Sequence, residues 1–152
     1  MSCHRIAPVF FAASLLTGAA QLSPAAAEPQ AGAYEIQIRM EIPNVNAWSW
    51  STTRRVCLPG EALGGAIPIP VLSPNNPFGG CQAEHVERSS ALLSYDIACS
   101  GRGAARAHAR YTLLASGFTG QIDMVLGAKN MTMRELQVGR HLGSCELATL
   151  QE

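Results

Sequence analysis

From Tyr34 to Ile42 the chain reads YEIQIRMEI, and Pro43-Asn44 ends the run. Tyr34, Ile36, Ile38, Met40 and Ile42 fall on one side of an extended chain, while Glu35, Gln37, Arg39 and Glu41 fall on the other. A period of two marks a strand with one face buried and one face wet. A helix of the same sequence would scatter both sets around its circumference. Beyond residue 28 the chain shows almost no helical periodicity, so the fold class is all-β.

Further strands follow from the same reading. A second is expected over about Ala47–Leu58, with Trp48 and Trp50 on one face. In ARAHARYTLLASGFTGQIDMVLGA, a two-residue turn at Ser116-Gly117 sets Tyr111 opposite Ile122, Ala109 opposite Met124 and Arg110 opposite Asp123. Apolar residues then meet apolar residues, and opposite charges meet across the strands. The preceding hairpin, CQAEHVERSSALLSYDIAC, pulls two ways. A turn at Ser89-Ser90 matches Val86 with Leu93, whereas facing Cys81 with Cys99 needs one residue more. A bulge would reconcile them. The last strand, about Asn130–His141, has a mixed pattern that suits an edge or a closure seam.

Between the second and third strands lies PGEALGGAIPIPVLSPNNPFGG, residues 59–80, with five prolines and five glycines. That composition prevents a long regular element. Ile67, Ile69, Val71, Leu72 and Phe78 are too apolar for a free linker, so the segment is expected to lie over one end or face of the sheet. The whole reads as an antiparallel meander of about seven or eight strands, curled into a barrel or half-barrel and linked by disulfides.

The first 27 residues read as a secretory signal. Arg5 and His4 give a weakly basic start, Ile6–Leu22 is mostly apolar, and Ala25 and Ala27 fit a small-x-small cleavage site. The run is short for the ~20 residues of a spanning helix and has no basic stop-transfer flank, so no membrane anchor is expected. Residues 28–152 then form a single domain in the periplasm or outside the cell. They keep Cys57, Cys81, Cys99 and Cys145, an even number with no CxxC pair, which points to two disulfides. Three pairings are open to four cysteines; Cys81–Cys99 with Cys57–Cys145 is the one taken forward.

Composition narrows the function. The chain carries 11 Lys+Arg against 11 Asp+Glu and a single lysine, with no basic block to meet phosphates, so nucleic acid is a poor partner. No serine lies in GxSxG and no Gly-rich phosphate loop or calcium loop is present, so no catalytic residue and no cofactor are expected. His85, His108 and His141 stand at no ligand spacing. Met131 and Met133 form an MxM pair, but strand packing explains them, and no metal site is expected. A copper-binding alternative would need that pair to converge with a histidine. The Trp48 and Trp50 pair suggests instead an apolar pocket lined by Tyr34, Ile36, Ile38, Trp48, Trp50, Tyr111 and Met124. The expected role is non-catalytic binding of a small apolar ligand or an envelope partner. A filled core acting through its surface is the alternative.

Several short motifs recur in a known order. They are Gly32-Ala33-Tyr34-Glu35, Cys57-Leu58-Pro59-Gly60, Cys81 ahead of a strand pair, Cys99-Ser100-Gly101, Phe118-Thr119-Gly120, and Gly139-Arg140-His141-Leu142-Gly143-Ser144-Cys145. In these the chain resembles the secreted bacterial proteins grouped as domain of unknown function 3617. Members tend to carry a short acidic, helix-prone segment where this chain has AIPIPVLSPNNPFG, and their Met-rich strands are thinned here to Met131-x-Met133. The resemblance implies a periplasmic or secreted location and no particular reaction.

Overall fold

The computed structural model describes residues 29–43, 45, 48–60, 66–74, 76–101, 104–127 and 131–145. The expected signal, residues 1–27, lies outside them. Seven strands follow in order: β1 (Gly32–Glu41), β2 (Ser49–Leu58), β3 (Gln82–Arg88), β4 (Leu92–Ala98), β5 (Arg106–Leu114), β6 (Gly117–Leu126) and β7 (Met131–Gly143). All pair antiparallel in one sheet of order β2-β1-β7-β6-β5-β4-β3.

The sheet is open, and this corrects the expectation of a barrel or half-barrel. Every sequential pair of strands is joined except β2 and β3, which form the two edges, while β1 pairs with β7. The seam falls where the Pro- and Gly-rich segment runs. Six successive antiparallel pairings leave β2 and β3 running in the same direction, so closure would need a parallel ladder in an otherwise antiparallel sheet. Their apolar side chains instead cover the inner face of the sheet: Ile69, Val71 and Phe78 are buried in the same core as Tyr34, Ile36, Ile38, Leu93, Tyr95 and Ile97. The loop fills the space that a closed wall would have surrounded.

Aromatic rings organise that core. Phe118 lies 5.5 Å from Tyr34 and 5.5 Å from Tyr111, ring centre to ring centre, and Tyr95 stacks on Tyr111 at 6.1 Å. Two glycines make room for them. A Cβ on Gly120 would come within 2.2 Å of the Tyr111 ring, and one on Gly139 within 2.4 Å of the Phe118 ring. These fits also decide a register. The β5–β6 turn falls at Ala115-Ser116, so Tyr111 faces Gly120, Ala109 faces Ile122 and Ala107 faces Met124. The expected pairing is thus displaced by two residues, because Tyr111 needs a partner with no side chain. A shift of two keeps every residue on its expected face. Arg110 and Asp123 still meet, now diagonally, at 2.9 Å.

The β3–β4 hairpin contains a bulge, but not the one that would have joined a Cys81–Cys99 bond to a Val86–Leu93 match: Leu93 faces Arg88 and Ser94 faces Glu87. Its register runs Ala83↔Ile97 and Glu84↔Asp96, then shifts between Glu84 and Glu87. The shift leaves Cys81 and Cys99 bonded and puts His85 at φ 49°, unusual for a residue with a side chain.

Two polar residues on the inner face hold the loop down. Glu135 and Gln137 are 0% and 1% exposed. The Glu135 carboxylate accepts the Leu72 N–H at 2.9 Å and the Ser73 N–H at 3.0 Å. Gln137 Nε2 donates to Glu135 at 2.6 Å and to the Pro70 carbonyl at 2.9 Å, and its Oε1 accepts the Tyr111 hydroxyl at 3.2 Å. The Tyr95 hydroxyl donates to the Ile69 carbonyl and accepts the Ile69 N–H. Burial raises the pKa of both tyrosines, which keeps their hydroxyls protonated as donors. Among the described residues no buried side-chain polar atom lacks a partner.

Candidate functional site

An apolar cleft of about 310 Å³ lies at one end of the inner face. Met40 on β1, Met124 and Leu126 on β6 and Met133 on β7 form its floor, with Trp48, Trp50, Pro74 and Pro77 around it. The register brings them together: Trp50 faces Met40, and Met124 faces Met133. Trp48 is 43% exposed and Trp50 half-buried. Of the seven residues expected to line one pocket, Trp48, Trp50 and Met124 meet here. Tyr34, Ile36, Ile38 and Tyr111 are packed in the filled interior, outside this cleft. The mixed pattern of β7 hides the inward placement of Glu135 and Gln137 from a reading of the sequence. Their phase with Met133 on the inner face was the available signal.

A second feature is the edge formed by β2. It is ten residues long, without proline, and its pairing with β1 runs unbroken from Gly32↔Leu58 to Glu41↔Ser49. Among the described residues no strand pairs with its other side. On the outer face, a shallow groove of about 460 Å³ runs beside it, with Ser51 and Thr53 on one side and Leu136 and Val138 on the other. Edge β3 contrasts with it, being seven residues long, bulged, and carrying Glu84, His85, Glu87 and Arg88.

The chemistry suggested by isolated histidines is absorbed in local contacts. Asp96 takes His85 Nδ1 at 3.0 Å on one oxygen and His108 Nδ1 at 2.7 Å on the other. His141 packs its ring against Tyr34 at 5.0 Å. The copper alternative required a histidine beside Met131 and Met133, and these contacts place all three histidines elsewhere. Among the described residues no cluster of His, Cys, Asp and Glu is arranged to hold a metal ion.

The same outer-face contacts set an acid response. Hydrogen bonding from His108 holds the Asp96 carboxyl below its usual value, and Arg140 does the same for Glu35. Burial works to raise Asp123, yet Arg134 at 2.7 Å and Gln121 at 2.8 Å leave it lowered. A carboxyl depressed on folding stabilises the native state above its unfolded pKa, and that contribution is lost as pH falls through the folded one. Urea midpoints are therefore expected to fall as pH drops below about 4. Asp123→Asn should flatten the dependence; an unchanged acid limb in that variant would refute the assignment.

A family model described as "Protein of unknown function (DUF3617)" matches residues 29–145. The chain belongs to this family. The matched DUF3617 region takes in the seven described strands and four of the five cysteines, Cys57, Cys81, Cys99 and Cys145. No curated protein and no solved structure matches the chain. Within this DUF3617 domain, Cys81 and Cys99 form a disulfide, while Cys57 and Cys145 are adjacent thiols, with Cys57 Sγ 3.8 Å from the Cys145 carbonyl. The contact with Cys57, with burial adding to it, pushes the Cys145 thiol pKa up. No described helix is long and apolar enough to cross a membrane.

Proposed function

We propose that this DUF3617 protein is a non-catalytic interaction module of the cell envelope, which takes an extended segment of a partner protein along β2. The carrying observation is the asymmetry of the two edges. A long, regular, uncovered edge is a template for strand addition, and proteins without that use blunt such edges with bulges, charges or proline. Edge β3 is short and bulged and carries Glu84, Glu87 and Arg88; β2 is longer, has neither bulge nor proline, and carries charge only at Arg54 and Arg55. The envelope location rests on the reading of residues 1–27 as an export signal.

The filled core supports this reading over an enclosed apolar-ligand site, since the loop residues Ile69, Val71 and Phe78 occupy the interior. Charge favours an acidic partner strand over a second copy of β2. Arg54 and Arg55 lie side by side at mid-strand, and Arg55 reaches Glu35 at 3.5 Å. Pairing β2 with a second copy of itself near mid-strand would crowd four arginines around the dyad. A partner strand carrying Asp or Glu meets no such repulsion.

A photo-crosslinking residue at Thr53, introduced in living cells, is expected to trap one discrete envelope polypeptide, with trapping reduced by high salt. The same group at Glu87 on β3 should trap none. Equal trapping at both edges, no adduct at Thr53, or an adduct of two copies of this chain would each overturn the proposal.

A further inference from the structure

The methionine floor of the cleft has a chemical meaning separate from the β2 edge. Met40, Met124 and Met133 come from three adjoining strands and present their side chains to one face. Met124 and Met133 are directly opposed, a relation that brings Cβ atoms to about 5 Å. Met40 faces Glu135, two residues along β7 from Met133, and so lies diagonal to it. All three line the same cleft as Trp50.

We propose that these three thioethers bind one soft monovalent cation of the copper(I) or silver(I) type. Thioether sulfur favours such ions, while calcium, magnesium and zinc prefer oxygen, imidazole or thiolate. The nearest carboxylate, Glu135, has its oxygens engaged by Leu72, Ser73 and Gln137, so it is not free to ligate a hard ion. It nevertheless places negative charge next to Met40, which offsets the charge of a cation held by three neutral donors. The Trp50 indole adds a π face at the same opening. Met40 and Met124 are buried, so an ion would reach them past the partly exposed Met133 and Trp50. This trio differs from the Met131-x-Met133 pair visible in the sequence: Met131 is 55% exposed and lies outside the cleft lining.

The test is a competition titration of copper(I) against a chromophoric chelator, using the Cys57→Ser/Cys145→Ser protein so that thiols do not contribute. One equivalent should bind. Met124→Leu and Met133→Leu should each weaken binding by at least about tenfold, while Met131→Leu leaves it unchanged. Silver(I) added to the protein should shift the NMR signals of three methionine methyl groups, a readout that needs no substitution. The proposal is overturned if the cysteine-substituted protein binds no equivalent of copper(I). It also fails if folded leucine variants bind as tightly as the parent, or if silver(I) moves no methionine methyl.

Discussion

Replacing Glu135 with alanine frees the loop from the sheet and lowers the free energy of unfolding by about 4 kcal/mol. The carboxylate accepts two backbone N–H groups, from Leu72 and Ser73, and the amide of Gln137. A hydrogen bond to a charged acceptor contributes roughly 1.5–3 kcal/mol, and a buried donor stripped of its partner costs about as much again as it gained. Proline-rich chain between β2 and β3 has few other ways to satisfy its N–H groups. Urea denaturation measures the loss, and hydrogen exchange should show residues 69–73 losing protection before the strands do. Glu135→Gln keeps one acceptor but aims an amide N–H at a backbone donor, so its effect should be intermediate. If Glu135→Ala unfolds at the parental midpoint, the loop is not held as described.

Joining Cys57 to Cys145 should stabilise the domain more than any other single change. The two residues are 88 apart in sequence and their side chains already touch. By loop-closure entropy a bond between them contributes about 4–5 kcal/mol, against about 3 for Cys81–Cys99 with its separation of 18. Protein recovered from an oxidising compartment is expected to have no free thiol under denaturing conditions. Reduction should then lower its urea midpoint far more in the parent than in a Cys57→Ser variant. Two titratable thiols in the oxidised, unfolded protein would contradict this. The bond would tie β2, the proposed docking edge, to the segment that follows β7, across β1.

Faces were legible in the sequence where registers were not. In YEIQIRMEI the period of two correctly puts Tyr34, Ile36, Ile38 and Met40 inside. In the β5–β6 hairpin the same period assigned faces correctly, yet displaced the pairing by two residues. Alternation repeats every second residue and is blind to such a shift; only the space that Tyr111 takes over Gly120 resolves it. The structure puts the extra residue on β3 near His85 and sets Leu93 opposite Arg88, so the conflict between a disulfide and an apolar match made a bulge legible, though not its strand. The open seam was not legible, since alternation says which side of a strand is buried and nothing about what buries it. The inward phase of Glu135 and Gln137 similarly became meaningful only once the loop's N–H groups lay above them. Of the expected pocket, the tryptophans and Met124 converge, whereas the more regularly placed Tyr34, Ile36 and Ile38 proved to be packing.

The pairing of β1 with β7 also orders events in time. On a chain delivered N-terminus first, β3 to β6 can zip up as successive neighbours while the remainder is still arriving. Among the described residues the β1–β2 hairpin meets the rest of the sheet through β7, the last of the seven strands, and so joins after them. It must wait as an isolated two-stranded ribbon, a unit with little stability of its own, until Gly143 has emerged. The part of the molecule with the most inviting edge is thus the part that spends longest unassembled.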